Sequence, residues 1–264
     1  MQRLRAVVDS LAPAFALITG DLVRDALRVP EAEARGYYEM FEREARLFRT
    51  PVHTTPGNHE LFGIEPQSGV APTHPLRDRG MYRHYRGPDY YSFTHGGVHF
   101  VALNTVSVHD GRWYHGGVDS VQLAWLARDL ERIPAAMPVV TFDHIPFISA
   151  VELLNGYSDQ PPAPSLITLG DGRTTFRHTV SNAGEALAVL RARDHVLALG
   201  GHVHIRELLR YEVEGRSVRF EQSAATVGPS EAAGVKYPSG VTLYTVRDGV
   251  IDAGRFVRLD AAER

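Results

Sequence analysis

Val196-Leu197-Ala198-Leu199-Gly200-Gly201-His202-Val203-His204 is the stretch on which the reading of this sequence turns. A short apolar run of buried-strand type stops at two glycines and is followed at once by two histidines, two positions apart. The same kind of ending occurs three times upstream. Phe15-Ala16-Leu17-Ile18 runs into Gly20-Asp21, Val52 to Thr55 into Pro56-Gly57-Asn58-His59-Glu60, and Val139 to Phe142 into Asp143-His144. In α/β sheets, binding groups gather beyond the carboxyl ends of strands, where glycine lets the backbone turn sharply and approach a ligand. Asp21, Asn58, His144, His202 and His204 offer a carboxylate, an amide oxygen and three imidazoles, a donor set suited to Mn, Fe or Zn. Singly, each admits a plainer reading: Gly-Asp as a turn, Gly-Asn-His-Glu as an Asx-turn, His144 as a hydrogen-bonded strand-end histidine. Their order at successive strand ends points to metal.

Between these strands lie helical patterns. Leu4, Val7, Val8 and Leu11 recur at helical spacing before Pro13, and Ala34, Tyr37, Phe41, Ala45 and Phe48 do so between Pro30 and Thr50-Pro51. Asp119 with Gln122 predicts a capping box ahead of Leu123, Leu126, Leu130 and Ile133; Asn182 with Glu185 predicts a cap for a helix carrying Leu187 and Leu190. Strands alternating with helices predict parallel pairing in a layered α/β core. Two hairpins accompany it, Tyr90 to Thr94 with Val98 to Leu103, and Val241 to Val246 with Val250 to Val257 about Asp248-Gly249. No repeat or linker divides the chain, so residues 1–264 read as a single domain. Ser149 to Thr179, with Pro161-Pro162-Ala163-Pro164, is an irregular insertion between two strand ends, and long loops of this kind are often functional. Both its anchors lie at the edge that carries the ligands, so it is expected to form a lid over the site and to influence substrate choice.

Composition narrows the function classes. The chain has 264 residues, 44% hydrophobic and 22% charged, with a net charge of −3, which argues against a nonspecific hold on nucleic acid or an anionic membrane. No apolar run reaches the ~20 residues of a membrane helix. Zero cysteines exclude disulfides, thiolate metal sites and a Cys nucleophile, so a metal here must use N and O ligands, and 13 histidines are present to supply them.

Gly20-Asp21, Gly57-Asn58-His59-Glu60, His144 and Gly201-His202-Val203-His204, in this order, resemble the second to fifth signature blocks of the calcineurin-like metallophosphoesterases. Gln122-Leu123-Ala124-Trp125-Leu126, and Tyr91-Ser92-Phe93 followed by Val98-His99-Phe100, are similar to bacterial members of that family. The resemblance covers about residues 1 to 210. It implies a four-layer α/β/β/α sandwich with a dinuclear centre of two divalent ions that hydrolyses phosphate esters, whether phosphodiester or phosphomonoester. By position, Asp21 would bridge both metals, Asn58, His144 and His202 would complete one shell, and His204 would serve the other. Two ions ~3.5–4 Å apart can hold a hydroxide that attacks phosphorus and can neutralise the phosphoryl oxygens. His59, next to ligand Asn58, is the candidate general acid for the leaving oxygen. Glu60 and Asp143 adjoin ligands and are candidate acceptors for imidazole N–H groups.

The resemblance has one departure. The family's first block, an Asp-x-His on a strand before the Gln2 to Leu11 helix, is missing from this sequence. The expectation is a further strand upstream in the natural protein, where a signal peptide could also lie, and a sheet with a gap beside Phe15 to Ile18. The chain as given is then expected to hold one ion firmly and to be impaired as an enzyme. The competing function is a noncatalytic metal-binding or scaffold protein on the same fold. The expected partner is a small phosphate-containing substrate. Tyr114 and His115 are candidate substrate contacts, with packing as the plainer alternative. His53, His99 and His195 lie within strand runs and read as packed or hydrogen-bonded, and Arg24 and Asp25 as a solvated helix start.

Overall fold

The structure is a computed structural model that describes residues 1–109, 113–158, 164–213, 215–232 and 234–259. The apolar runs form strands and the periodic segments form helices. Helices cover Gln2–Leu11, Glu31–Ala45, Ser120–Glu131 and Ala183–Leu190. A six-stranded mixed sheet is ordered Glu207–Val213, Arg216–Gln222, Asp194–Gly200, Pro138–Phe142, Val98–Ala102, Tyr91–His95. Its inner strands pair in parallel and its two edges are antiparallel, the second edge being the hairpin expected about His95-Gly96-Gly97. Ala16–Ile18 pairs in parallel with Val52–Thr54 in a separate ribbon. The C-terminal segment folds back on itself about Asp248-Gly249, with Gly240–Leu243 antiparallel to Arg255–Arg258.

Three apolar clusters define the layers. Leu126, Leu130, Ala186 and Leu190 pack on one face of the six-stranded sheet with Val101, Val139 and Ala198. Val98, Phe100, Val140, Phe142 and Leu197 line the opposite face, against Phe15, Leu17, Tyr244 and Val246. Ile18, Val23, Ala34, Tyr38 and Phe41 cover the outer side of the Ala16–Ile18 ribbon with the Glu31–Ala45 helix. Because side chains alternate along a strand, Leu17 and Ile18 serve different layers, which is how a three-residue strand ties sheet to helix. The order helix, sheet, strands, helix is the α/β/β/α arrangement. Among the described residues, Ala16–Ile18 pairs with no strand besides Val52–Thr54. It borders a cavity of about 480 Å³ whose lining includes Leu4, Val8, Phe15, Leu17 and Leu243 and reaches Asp21, His144 and His202.

Three local expectations need correction. Asp119 caps its helix, accepting the Gln122 backbone N–H at 2.8 Å, but the Gln122 side chain does not reach back to complete a box. It is fully buried and its amide instead bonds both the N–H and the C=O of Asn104, at 2.8 Å each. Asn182 likewise makes no side-chain cap; its amide pairs with the N–H and C=O of Val118 at 3.0 and 2.8 Å. In both cases a buried loop backbone has no other partner among the described residues, and leaving it bare costs more than leaving a helix end to water. Arg24 and Asp25 start no helix: they lie in an irregular stretch between Ile18 and Glu31, where Asp25 accepts the Leu27 N–H and pairs with Arg28.

Candidate metal centre

The four strand ends converge. His144 Nε2 lies 3.0 Å from Asn58 Oδ1, 3.1 Å from His202 Nδ1 and 3.3 Å from Asp21 Oδ1. Asp21, His144 and His202 offer ligand atoms that all lie within 4.8 Å of one another. Metal bonds of ~2.0–2.2 Å at angles between square and tetrahedral place neighbouring donors ~2.9–3.5 Å apart, the same range as these separations, so the group could hold a metal ion.

Proton accounting makes the same point. His144 Nδ1 lies 2.7 Å from the Thr19 carbonyl, which can only accept, so Nδ1 carries the proton and Nε2 presents a lone pair. That lone pair faces Asn58 Oδ1 and Asp21 Oδ1, two further acceptors. Asp21 Oδ1 accepts the His59 N–H at 3.2 Å, but a single proton on His202 Nδ1 could not serve both His144 Nε2 and Asn58 Oδ1. A cation does, and the donor set of one carboxylate, one amide and two imidazoles fits a divalent ion. Ligation requires neutral imidazoles, and the surroundings of both rings favour that form. Burial drives His144 below the usual histidine value against the pull of Asp21, and burial with the neighbouring His144, His178 and His204 drives His202 well below it.

The backbone is shaped to bring the ligands in. Asp21, His202 and His204 all have positive φ, at 54°, 66° and 60°, a conformation that costs non-glycine residues energy and collects at functional sites. Gly57 must be glycine for contact reasons: a Cβ there would lie 2.3 Å from Asp21 Oδ1. The same holds at Gly20, whose φ is +83° and whose Cβ would meet His144 Nδ1 at 2.6 Å.

Glu60 and Asp143 accept no imidazole N–H, contrary to expectation. Glu60 is fully buried and accepts three backbone N–H groups instead, from Asp21 at 2.8 Å, Val23 at 3.0 Å and Gly57 at 2.6 Å. Burial and the adjacent Asp21 carboxylate push it up to about 7, while those N–H donors pull the other way. It therefore organises the loop that carries Asp21, acting through the main chain. Asp143 has both oxygens buried with no hydrogen-bond partner among the described residues, and burial raises its carboxyl well above the usual range.

The remaining candidates divide. His59 Nδ1 hydrogen-bonds the Arg24 carbonyl and its Nε2 stands 3.9 Å from Asp21 Oδ2. Burial opposes its charge, but Asp21, the Arg24 carbonyl and Glu60 outweigh this and raise it. His204 is exposed and outside the donor cluster, although it acts electrostatically on His144 and His202. Tyr114 is buried with its ring edge-on to His202, centroids 6.0 Å apart. His115 bonds Thr175 and the Gly116 carbonyl, within the insertion and its border. The histidines read as structural are so: His53 stacks on Phe93, His99 bonds Asp129 at 2.8 Å, and His195 bonds Thr141 at 3.2 Å.

Residues 1–206 match the sequence profile described as calcineurin-like phosphoesterase. The chain belongs to the calcineurin-like phosphoesterase family. No curated protein matches it in sequence. Among solved structures it is similar to a dimetal phosphatase from Danio rerio, with a TM-score of 0.50 and 17% identity over 84% of this chain and 77% of that one. It is also similar to GAP50, the anchor in the inner membrane complex of Plasmodium, with a TM-score of 0.51 and 13% identity over 99% and 79% of the two chains. At such identities the likeness is one of fold. As a member of this phosphoesterase family it carries a candidate metal site at Asp21, His144 and His202, and among the described residues no helix is long and apolar enough to cross a membrane.

Sequence reasoning passed over His178. It follows the Leu166–Thr168/Thr174–Phe176 hairpin of the insertion, lies nearly coplanar with His202 at 24° with ring centroids 4.9 Å apart, and places Nδ1 2.7 Å from His202 Nε2. Its own Nε2 is 3.8 Å from Glu152 Oε1. A proton arrangement of one sense is available: His202 Nε2–H donates to His178 Nδ1, and His178 Nε2–H faces Glu152, leaving His202 Nδ1 bare toward His144. Such outer partners fix a ligand's tautomer and ring angle. The only hint in the sequence was a histidine inside a loop anchored at two ligand strands.

Proposed function

We propose that this chain is a metal-dependent hydrolase of small phosphate esters, with Asp21, Asn58, His144 and His202 holding one divalent ion, Mn, Fe or Zn. A second ion would draw on Asp21 and His204. The observation that supports this reading is the convergence of His144 Nε2, Asn58 Oδ1 and Asp21 Oδ1: the His144 proton is spent on the Thr19 carbonyl, which leaves Nε2 and Asn58 Oδ1 facing each other at 3.0 Å with none between them, while Asp21 Oδ1 accepts the His59 N–H. When bound, such ions act as Lewis acids that stabilise charge on the phosphoryl oxygens. The protein's own part is positioning. Asn58 adds an oxygen donor without cancelling the positive charge that an anionic substrate needs. The Arg24 carbonyl holds His59 Nδ1–H, so Nε2 is the nitrogen free to carry a proton to the leaving oxygen. Glu60 holds the Asp21 backbone in its left-handed turn. Nucleic acid is the least favoured substrate, given the net charge of −3.

The exposure of His204, outside the cluster, favours one competing reading: a protein that binds a single ion and catalyses nothing. One experiment separates them. Metal content is measured by mass spectrometry on the purified protein, and hydrolysis of p-nitrophenyl phosphate and bis(p-nitrophenyl) phosphate is followed with Mn²⁺, then with EDTA, then after re-addition. Turnover that EDTA abolishes and Mn²⁺ restores supports the hydrolase. A bound ion with no turnover of either substrate supports the noncatalytic protein, and no bound metal under any loading sinks both.

A further inference from the structure

Arg177 precedes His178 in the insertion and is 5% exposed. Its guanidinium carbon sits 4.1 Å from the centroid of the Tyr114 ring and 5.9 Å from that of Trp113. Its guanidinium hydrogen-bonds the Tyr114 hydroxyl, but among the described residues its Nε and Nη1 are buried with no hydrogen-bond partner and no carboxylate pairs with it. A buried guanidinium with two of its three nitrogens unanswered is costly, because water is lost and nothing replaces it there. Arg173, four positions earlier, shows the usual solution and pairs with the Asp171 carboxylate at 2.7 Å.

The position of this charge matters. The Tyr114 ring that carries Arg177 on its face meets His202 at its edge, and the Tyr114 hydroxyl feels both Asp21 and Arg177. The next residue, His178, bonds His202 directly. Arg177 thus flanks the cluster of Asp21, His144 and His202, in a segment that both enters and leaves at ligand-bearing strand ends.

We propose that Arg177 is a substrate-binding residue that donates to a phosphoryl oxygen, and that it makes the chain selective for phosphomonoesters. This rests on the reading of the cluster as a phosphoesterase centre. A phosphodiester has two non-bridging oxygens and a single charge, and a centre of two ions can engage both oxygens. A phosphomonoester has a third non-bridging oxygen and a charge near −2 at neutral pH. The third oxygen needs a donor, and the unpartnered N–H groups of Arg177 need an acceptor. Charge-assisted bonds between guanidinium and phosphate are among the stronger hydrogen bonds in proteins.

The test compares wild type, R177K and R177M, each checked for folding by circular dichroism and thermal denaturation. Orthophosphate affinity is measured by calorimetry with Mn²⁺ present, alongside kcat/KM for p-nitrophenyl phosphate and bis(p-nitrophenyl) phosphate. Loss of one charge-assisted bond predicts orthophosphate binding weakened by about 10-fold or more in R177M, with a similar fall in monoester kcat/KM and little change for the diester. R177K, which keeps the charge on a different head group, should fall between the two. Unchanged orthophosphate affinity in both variants overturns the proposal, as does an equal loss for monoester and diester, which would make Arg177 a pillar for Tyr114. A wild type that binds no orthophosphate, or turns over the diester alone, also overturns it. A wild type that binds orthophosphate through Arg177 yet hydrolyses nothing upholds the anion contact and refutes the catalytic reading.

Discussion

Replacing Glu60 tests whether the proposed metal centre depends on a residue outside the set of proposed ligands. Its two carboxylate oxygens accept the backbone N–H groups of Asp21, Val23 and Gly57 and hold together two loops 37 to 39 positions apart in the chain. Glu60→Ala leaves all three donors without an acceptor. At ~1–3 kcal/mol for each orphaned buried group, and with water entering the vacated space, the expected loss of stability is about 3–5 kcal/mol. Glu60→Gln keeps one oxygen, which takes the place of Oε2 and its two bonds, and sets an amide NH₂ against the Val23 N–H, so about 1–3 kcal/mol is expected. The same tether holds Asp21 at a φ of 54°, and its loss should loosen the carboxylate. Metal affinity should therefore fall by about 10- to 100-fold in Glu60→Ala, as for other outer partners of metal ligands, and less in Glu60→Gln. Urea denaturation followed by circular dichroism gives the stabilities, and competition against a chelator of known affinity gives the metal binding on folded protein. Folded Glu60→Ala protein that binds metal as tightly as wild type would refute the reasoning.

Close contact makes a second test. Gly57→Ala puts a methyl 2.3 Å from Asp21 Oδ1 and should reduce metal affinity at least ~10-fold, whereas Gly36→Ala, in a helix with nothing within 4 Å, should stabilise by ~0.5–1 kcal/mol and leave metal binding alone. His195 supplies a pH dependence. Burial lowers it to about 4, so the unfolded chain takes up its proton first; the stability it contributes is present above pH ~6.5 and is lost as pH falls to about 4, with about 2 kcal/mol gone by pH 5. Denaturant titrations of metal-loaded protein at pH 7 and pH 5 should show a shallower pH dependence for His195→Gln, and equal dependence in the two proteins would count against it. Removing His59 as His59→Ala should preserve metal content and slow turnover by ~10²–10⁴-fold, with smaller losses for substrates whose leaving group is already a stable anion. A loss that ignores leaving-group quality would assign His59 another role.

What could be read from the sequence alone was local in character. The strand ends near Ile18, Thr55, Phe142 and Leu199, the glycines after or beside them and the helices between are each written in a few adjacent residues, because strand and helix periods and the φ demands of tight turns are short-range properties. A parallel sheet then brings its carboxyl ends to one edge, so residues spaced along the chain at Asp21, Asn58, His144 and His202 could be expected to meet. Partnerships set by packing were not legible. Which face Glu60 turned, whether Asp143 found a partner, and that the Gln122 and Asn182 amides would leave their helix ends for the backbone of Asn104 and Val118 depended on which buried groups lacked acceptors once the layers closed. The Thr19 carbonyl that fixes the His144 tautomer comes from 125 positions away. His178 and Arg177 carry no periodic or motif signal, lying as they do in a stretch of irregular composition. Only the folded chain sets one against His202 and leaves the other buried on Tyr114 without an anion, because a loop's side chains are placed by its anchors and its neighbours rather than by the residues beside them in sequence.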